Sequence, residues 1–172
     1  MKRILILLLF LVVLTGCKSI KSSNQNIEVD KQIISTFLDN WHQAASEANF
    51  ENYFGAMDSI SVFVGTDAKE VWNKNEFKKF SKPYFDKGKA WSFTAVDRNI
   101  YVHNSGKIVW FDELLDTWMG ICRGSGVIEK IDADWKIKHY VLSVAVPNED
   151  IKPIIAIKKE RDSLLLKKLK SN

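Results

Sequence analysis

This chain holds few of the residues that bind metals, form disulfides or cradle phosphates. Its 172 residues include two cysteines and three histidines, without the close spacing of a zinc site. There is no glycine-rich phosphate loop, no P-loop and no Gly-x-Ser-x-Gly turn. Neither a metal nor a cofactor is therefore expected. No internal repeat is visible. Long apolar runs are also scarce. The one clear run, Ile4 to Leu14, is too short to span a bilayer.

That run is nevertheless informative. Lys2 and Arg3 precede it, and Leu14-Thr15-Gly16-Cys17 follows it. A positive start, an apolar stretch and small residues before a cysteine resemble the signal and lipobox of bacterial lipoproteins. The resemblance implies cleavage before Cys17, acylation of its thiol, and a domain tethered by lipid in the bacterial cell envelope, facing the periplasm or the exterior. Residues 1–16 then read as signal peptide. Residues 17–26, mostly Ser, Asn, Lys and Gln, read as a short tether. With Cys17 acylated, no intramolecular disulfide is possible, and Cys122 in its apolar strand reads as a buried thiol.

Charge is unevenly spread. The formal charge is +4, and it falls to +2 once Lys2 and Arg3 are removed. From Lys158 onward six basic and two acidic residues give a local +4, leaving the rest at −2. A nucleic-acid-binding domain would carry its basic footprint on the fold, so nucleic acid is not an expected partner.

The mature chain is long enough for one domain with a substantial core. From Asp30, a candidate cap, to about Asn49, residues Ile33, Ile34, Phe37, Leu38, Trp41, Ala44, Ala45 and Ala48 recur at helical spacing. A short helix follows with Tyr53 and Phe54. Ser61 to Gly65 reads as a strand, Asp67 to Trp72 as a helical turn, and Asn73 to Phe85 as a helix. After Gly88 the period becomes two. Four strands are expected over Trp91–His103, Lys107–Met119, Ile121–Ile131 and Trp135–Val146, with turns at Asn104-Ser105-Gly106 and Asp132-Ala133-Asp134. Gly124 and Gly126 are candidate bends or bulges. A helix from Asp150 to Leu169 closes the chain. Helices followed by an antiparallel meander predict an α+β domain over residues 27–148, with a helical tail over 149–172.

The helix with Phe37 and Trp41, the segments FENYF (Phe50 to Phe54) and VFVGTDAKEVW (Val62 to Trp72), the hairpin Ile108 to Lys130 and the closing WKIKHYVLS (Trp135 to Ser143) resemble the SnoaL-like branch of the nuclear transport factor 2-like superfamily. The resemblance implies a conical barrel, with N-terminal helices packed on a curved, mostly antiparallel sheet. It also implies dimerisation through the outer sheet face. Members include isomerases, dehydratases, cyclases, hydrolases and proteins without a catalytic role, so the fold does not choose the function.

Alternation selects the candidate residues. Trp135, Ile137, His139, Val141 and Ser143 are expected to face the cavity. His139 is then either a general acid or base or a hydrogen-bonded core histidine. Val109, Phe111, Glu113, Leu115, Thr117 and Met119 are expected inward and Trp110, Asp112, Leu114, Asp116 and Trp118 outward. A single bulge would exchange Asp112 for Glu113. Arg123 is expected to pair with Glu113 inside the cone, as a ligand anchor or as a structural ion pair. Trp41, Tyr53, Phe63, Trp72, Trp91 and Phe111 supply the aromatic wall. Three readings follow: a lipid-anchored domain binding a small apolar or aromatic molecule, an enzyme using His139 with Glu113 or Asp112, and a homodimeric interaction module centred on Trp110 and Trp118. The basic end of the terminal helix is either solvated or in contact with anionic headgroups.

Overall fold

The computed structural model describes residues 21–171, and side chains from residue 31 onward. Cys17 and the signal segment lie outside the described residues. Among the described residues four α-helices and six strands follow one another as α1 (Lys21–Ser46), α2 (Phe50–Gly55), β1 (Met57–Val64), β2 (Val71–Asn73), α3 (Lys74–Phe85), β3 (Thr94–Val102), β4 (Ile108–Thr117), β5 (Gly120–Ile131), β6 (Asp134–Val144) and α4 (Ile151–Lys170).

Local chemistry explains most boundaries. Ile34, Leu38, Trp41 and Ala45 form the buried stripe of α1, and Ala48 at φ 54° ends it. The Asn49 side chain accepts from Asn52 N at 3.0 Å and caps α2. Asn73 and Glu76 exchange hydrogen bonds in a capping box that starts α3. Pro83 sits in the last turn of α3 without ending it. Gly106, Asp132 and Gly120 take positive φ at the three hairpin connections.

The strands form one sheet in the order β2-β1-β6-β5-β4-β3. All pairings are antiparallel except β1 with β6. The sheet is open, with β2 and β3 as its edges, so the expected conical barrel is a bent open sheet with helices on its inner face. Register shifts in the β1/β6, β3/β4 and β5/β6 pairs supply the bending. The core between helices and sheet is aromatic: Trp41 stacks on Tyr53 at 4.9 Å, and Phe63 on Phe77 at 4.0 Å.

Three elements differ from expectation. Helix α1 begins at Lys21, before Asp30, so residues 21–26 are helical backbone rather than loose tether. That stretch holds no Gly or Pro to break a helix that is nucleated further along. Residues 67–72 do not form a helical turn. Val71 and Trp72 instead join the short strand β2, with Trp72 opposite Phe63, as β-branched and aromatic residues favour. Gly124 and Gly126 are not the bulges. They pair in register with Glu113 and Phe111 of β4, and a Cβ at Gly124 would strike the Tyr140 hydroxyl and one at Gly126 would strike Phe111 and the His139 carbonyl.

Candidate functional site

The chemistry of the interior centres on one carboxylate. Strand β4 runs against β5 without a register shift, so alternation holds and Val109, Phe111, Glu113 and Leu115 all point inward. Glu113 is 1% exposed. A buried carboxylate is tolerated only with partners, and this one has them on both oxygens. His42 Nε2 lies 2.8 Å from Oε1, and the Tyr140 hydroxyl donates to the same oxygen at 3.0 Å. Arg98 Nε donates to Oε2 at 2.8 Å. Arg98 Nη2 reaches Oε2 at the same 2.8 Å, but without the alignment of a hydrogen bond.

Arg98 is itself held from the other side. Its Nη1 donates to the Ser35 hydroxyl at 2.8 Å and the Ser35 carbonyl at 3.0 Å, and pairs with Asp39 at 2.8 Å. The cluster therefore ties α1 to β3, β4 and β6 through one carboxylate. Burial pushes the Glu113 carboxyl upward, but the contact with His42 and the charge and hydrogen bond of Arg98 outweigh burial and hold it below the ordinary glutamate range. An ionised carboxylate only accepts, so His42 presents a protonated Nε2 to it. Burial, reinforced by the Glu113 charge and hydrogen bond, pushes the Tyr140 phenol well above its usual value.

The expected partners of Glu113 are elsewhere. Arg123 pairs across from Leu114 on the outward set of β5 and is exposed. His139 also faces outward. Ile137 opposes Ile128 and His139 opposes Val127, so Lys138 is inserted and the phase of β6 reverses after it. That insertion puts Tyr140 and Leu142 inside, where His139 and Val141 were expected. Lys138 bridges Asp58 at 3.2 Å and Glu129 at 3.3 Å. Asp112 stays outward and accepts from the Asn99 amide at 3.2 Å.

His42, Arg98 and Tyr140 were not singled out by sequence, although two of them left a signal. His42 is four residues beyond Leu38 on the buried stripe of α1, and Arg98 alternates with Ile100 and Val102 on the inner face of β3. Tyr140 left none, because its direction depends on the insertion at Lys138.

The aromatic residues expected to line a ligand site are mostly packing. Tyr53, Phe63 and Phe111 are buried, and Trp72 and Trp91 pack half-buried against them. Glu113, His42 and Tyr140 line none of four clefts that open among the described residues. Of the expected wall, only Trp41 borders one. It lines a groove of about 670 Å³ with Ile33, Phe37 and Trp135, between α1, α2 and the β5–β6 hairpin. Its buried Nε1 has no hydrogen-bond partner among the described residues. Cys122 is a buried free thiol, with its sulfur 3.5 Å from the Thr117 hydroxyl. Trp110 is 45% exposed on the outer face and stacks on Tyr101 at 5.9 Å, whereas Trp118 is 82% exposed in the β4–β5 turn and has left the strand.

No group of His, Cys, Asp and Glu among the described residues could hold a metal, and no described helix is long and apolar enough to cross a membrane. A family model described as a SnoaL-like domain matches residues 34–147, and one for a prokaryotic membrane lipoprotein lipid attachment site matches residues 1–17. No curated protein matches the sequence. Among solved structures, a Mycobacterium tuberculosis protein of unknown function is similar with a TM-score of 0.61 at 11% identity, over 77% of this chain and 81% of that one. A dehydratase candidate of the nuclear transport factor 2-like family from Streptomyces avermitilis gives 0.60 at 12% identity, over 70% and 99%. A cystatin-like domain of unknown function from Nostoc punctiforme gives 0.59 at 15% identity, over 84% and 98%. At these identities the likeness is one of fold.

Proposed function

The chain belongs to the SnoaL-like domain family and carries the lipid attachment site of a membrane-anchored bacterial protein, and from that premise we propose that it is a tethered binding module without catalysis. The observation that carries the reading is the saturation of Glu113. Both its oxygens are engaged by His42, Arg98 and Tyr140, and aromatic side chains pack the space around it. An acid or base needs a free position toward its substrate; three hydrogen bonds occupy most of the acceptor sites of this carboxylate, and it lines none of the four described clefts.

The ligand is a small apolar or aromatic molecule, and its place is the 670 Å³ groove bordered by Phe37, Trp41 and Trp135. Ile33, Phe37 and Trp135 supply apolar surface to this groove, and Asn40, Gln43 and Asn52 supply polar groups beside it. The domain faces the periplasm or the exterior, and a homodimer through the outer face around Trp110 belongs to the same reading. Titration with the aromatic fluorophore 1-aminoanthracene tests the groove. Binding is expected to be one to one, lost in Trp135→Ala and kept in Glu113→Gln. The opposite pattern would return the ligand to the interior. Sedimentation equilibrium tests the dimer, which Trp110→Asp is expected to weaken. A monomer at every concentration would remove it.

A second reading, an isomerase, dehydratase or hydrolase, draws on the 2.8 Å His42–Glu113 contact, the geometry of a carboxylate orienting an imidazole. It would use His42 in place of His139, and it requires the interior to open. Amide exchange separates the two readings. Protection of the Glu113 and Tyr140 amides up to global unfolding supports the closed module, and a low-energy opening confined to β4, β6 and α1 supports the enzyme.

A further inference from the structure

Helix α4 lies beyond the matched family domain, and it is an unusual neighbour. It is 20 residues long with no residue buried. Leu164 is 64% exposed and Leu165 only half-buried. Helices in water depend on packing an apolar face, more than on propensity. Here the helix stands beside the outer face of the sheet across a cleft of about 640 Å³, within the roughly 300–1,000 Å³ range of ligand sites. Val64 of β1, Val141 of β6, Leu164 and Leu165 supply its apolar walls.

Its rim is cationic. Lys69, Lys158, Arg161 and Lys168 line the cleft against Asp67 and Asp162. Lys158 is paired with Asp162 at 3.4 Å, whereas Lys69, Arg161 and Lys168 form no ion pair among the described residues. We infer that this cleft is a binding site for a single-chain anionic amphiphile, with its acyl chain between α4 and the sheet and its carboxylate or phosphate at Arg161, Lys168 and Lys69. Charge complementarity selects the head and the aliphatic walls select the chain. The ligand completes the packing that α4 lacks. The lipid attachment site at residues 1–17 holds the domain beside a membrane, a source of acyl chains. The site is separate from the Trp41 groove, so either assignment can fail without the other.

The test uses the mature chain with Cys17→Ser, purified without detergent, and cis-parinaric acid as fluorescent probe. Saturable binding is expected, displaced by dodecanoate or dodecyl phosphate and not by dodecanol. Whichever anion displaces at lower concentration identifies the head group. Arg161→Gln with Lys168→Gln is expected to weaken binding about tenfold or more, as the loss of charged hydrogen bonds implies. Lys152→Gln with Lys170→Gln removes the same charge outside the cleft and is expected to leave affinity unchanged. Circular dichroism checks that both double variants keep their helix content. Absence of saturable binding, equal displacement by dodecanol, or equal effects of the two double variants would each overturn the site.

Discussion

The two faces of the same strands treat charge in opposite ways. On the inner face of β4 one carboxylate, Glu113, is buried and takes four polar contacts from three side chains. One residue earlier, on the outer face, Asp112 accepts a single 3.2 Å contact from Asn99. Arg98 inside is locked between Glu113, Asp39 and Ser35, whereas Arg123 outside is exposed. Solvent screens the outer charges and makes them nearly interchangeable. The inner charges have only each other, so each one constrains all the rest.

The largest test of this contrast is to remove the inner cation. Arg98→Met leaves Glu113 buried without its charge partner and is expected to cost about 3–5 kcal/mol in urea unfolding. Adding Glu113→Leu is expected to restore part of that loss, because the uncompensated carboxylate goes with it. Strict additivity would mean that the two do not act as a pair.

Packing around the cluster gives the next effect. Gly124→Ala drives a Cβ into the Tyr140 hydroxyl and the Glu113 side chain. Its expected cost is about 1–3 kcal/mol by thermal unfolding. An unchanged midpoint would show that Tyr140 has room to move.

Acid applies the same comparison continuously. Glu113 is held below its ordinary range in the fold, so its contribution is fully present above the unfolded-state value. It is lost as pH falls through the lower folded value. Stability is expected to decline with acid more steeply in the wild type than in Glu113→Gln, while Asp112→Asn follows the wild type. Parallel curves for wild type and Glu113→Gln would remove the assignment.

The smallest effect is expected outside. Arg123→Met should shift stability by no more than about 0.5 kcal/mol. A loss comparable to Arg98→Met would show that the outer face is buried by a partner, and would itself favour the dimer.

The sequence carried the α+β layout, because helical and two-residue periodicities are local properties of the chain. It carried the inward phase of Glu113, since β4 is regular and its apolar alternation is continuous. It carried the lipoprotein signal, which needs no fold to be read. Only the tertiary structure decided the company Glu113 keeps. Arg98 and His42 lie 15 and 71 residues away in sequence, and nothing local says that β3 and α1 converge on one oxygen pair. The fate of His139 turned on one inserted residue. Lys138 satisfies Asp58 and Glu129 on the outside, and a period-two pattern has no memory of phase across such an insertion. Local pattern decides which elements form and which way a regular strand faces. Pairing and register between distant segments decide which polar groups meet, because only there does the cost of burying a charge select its partners.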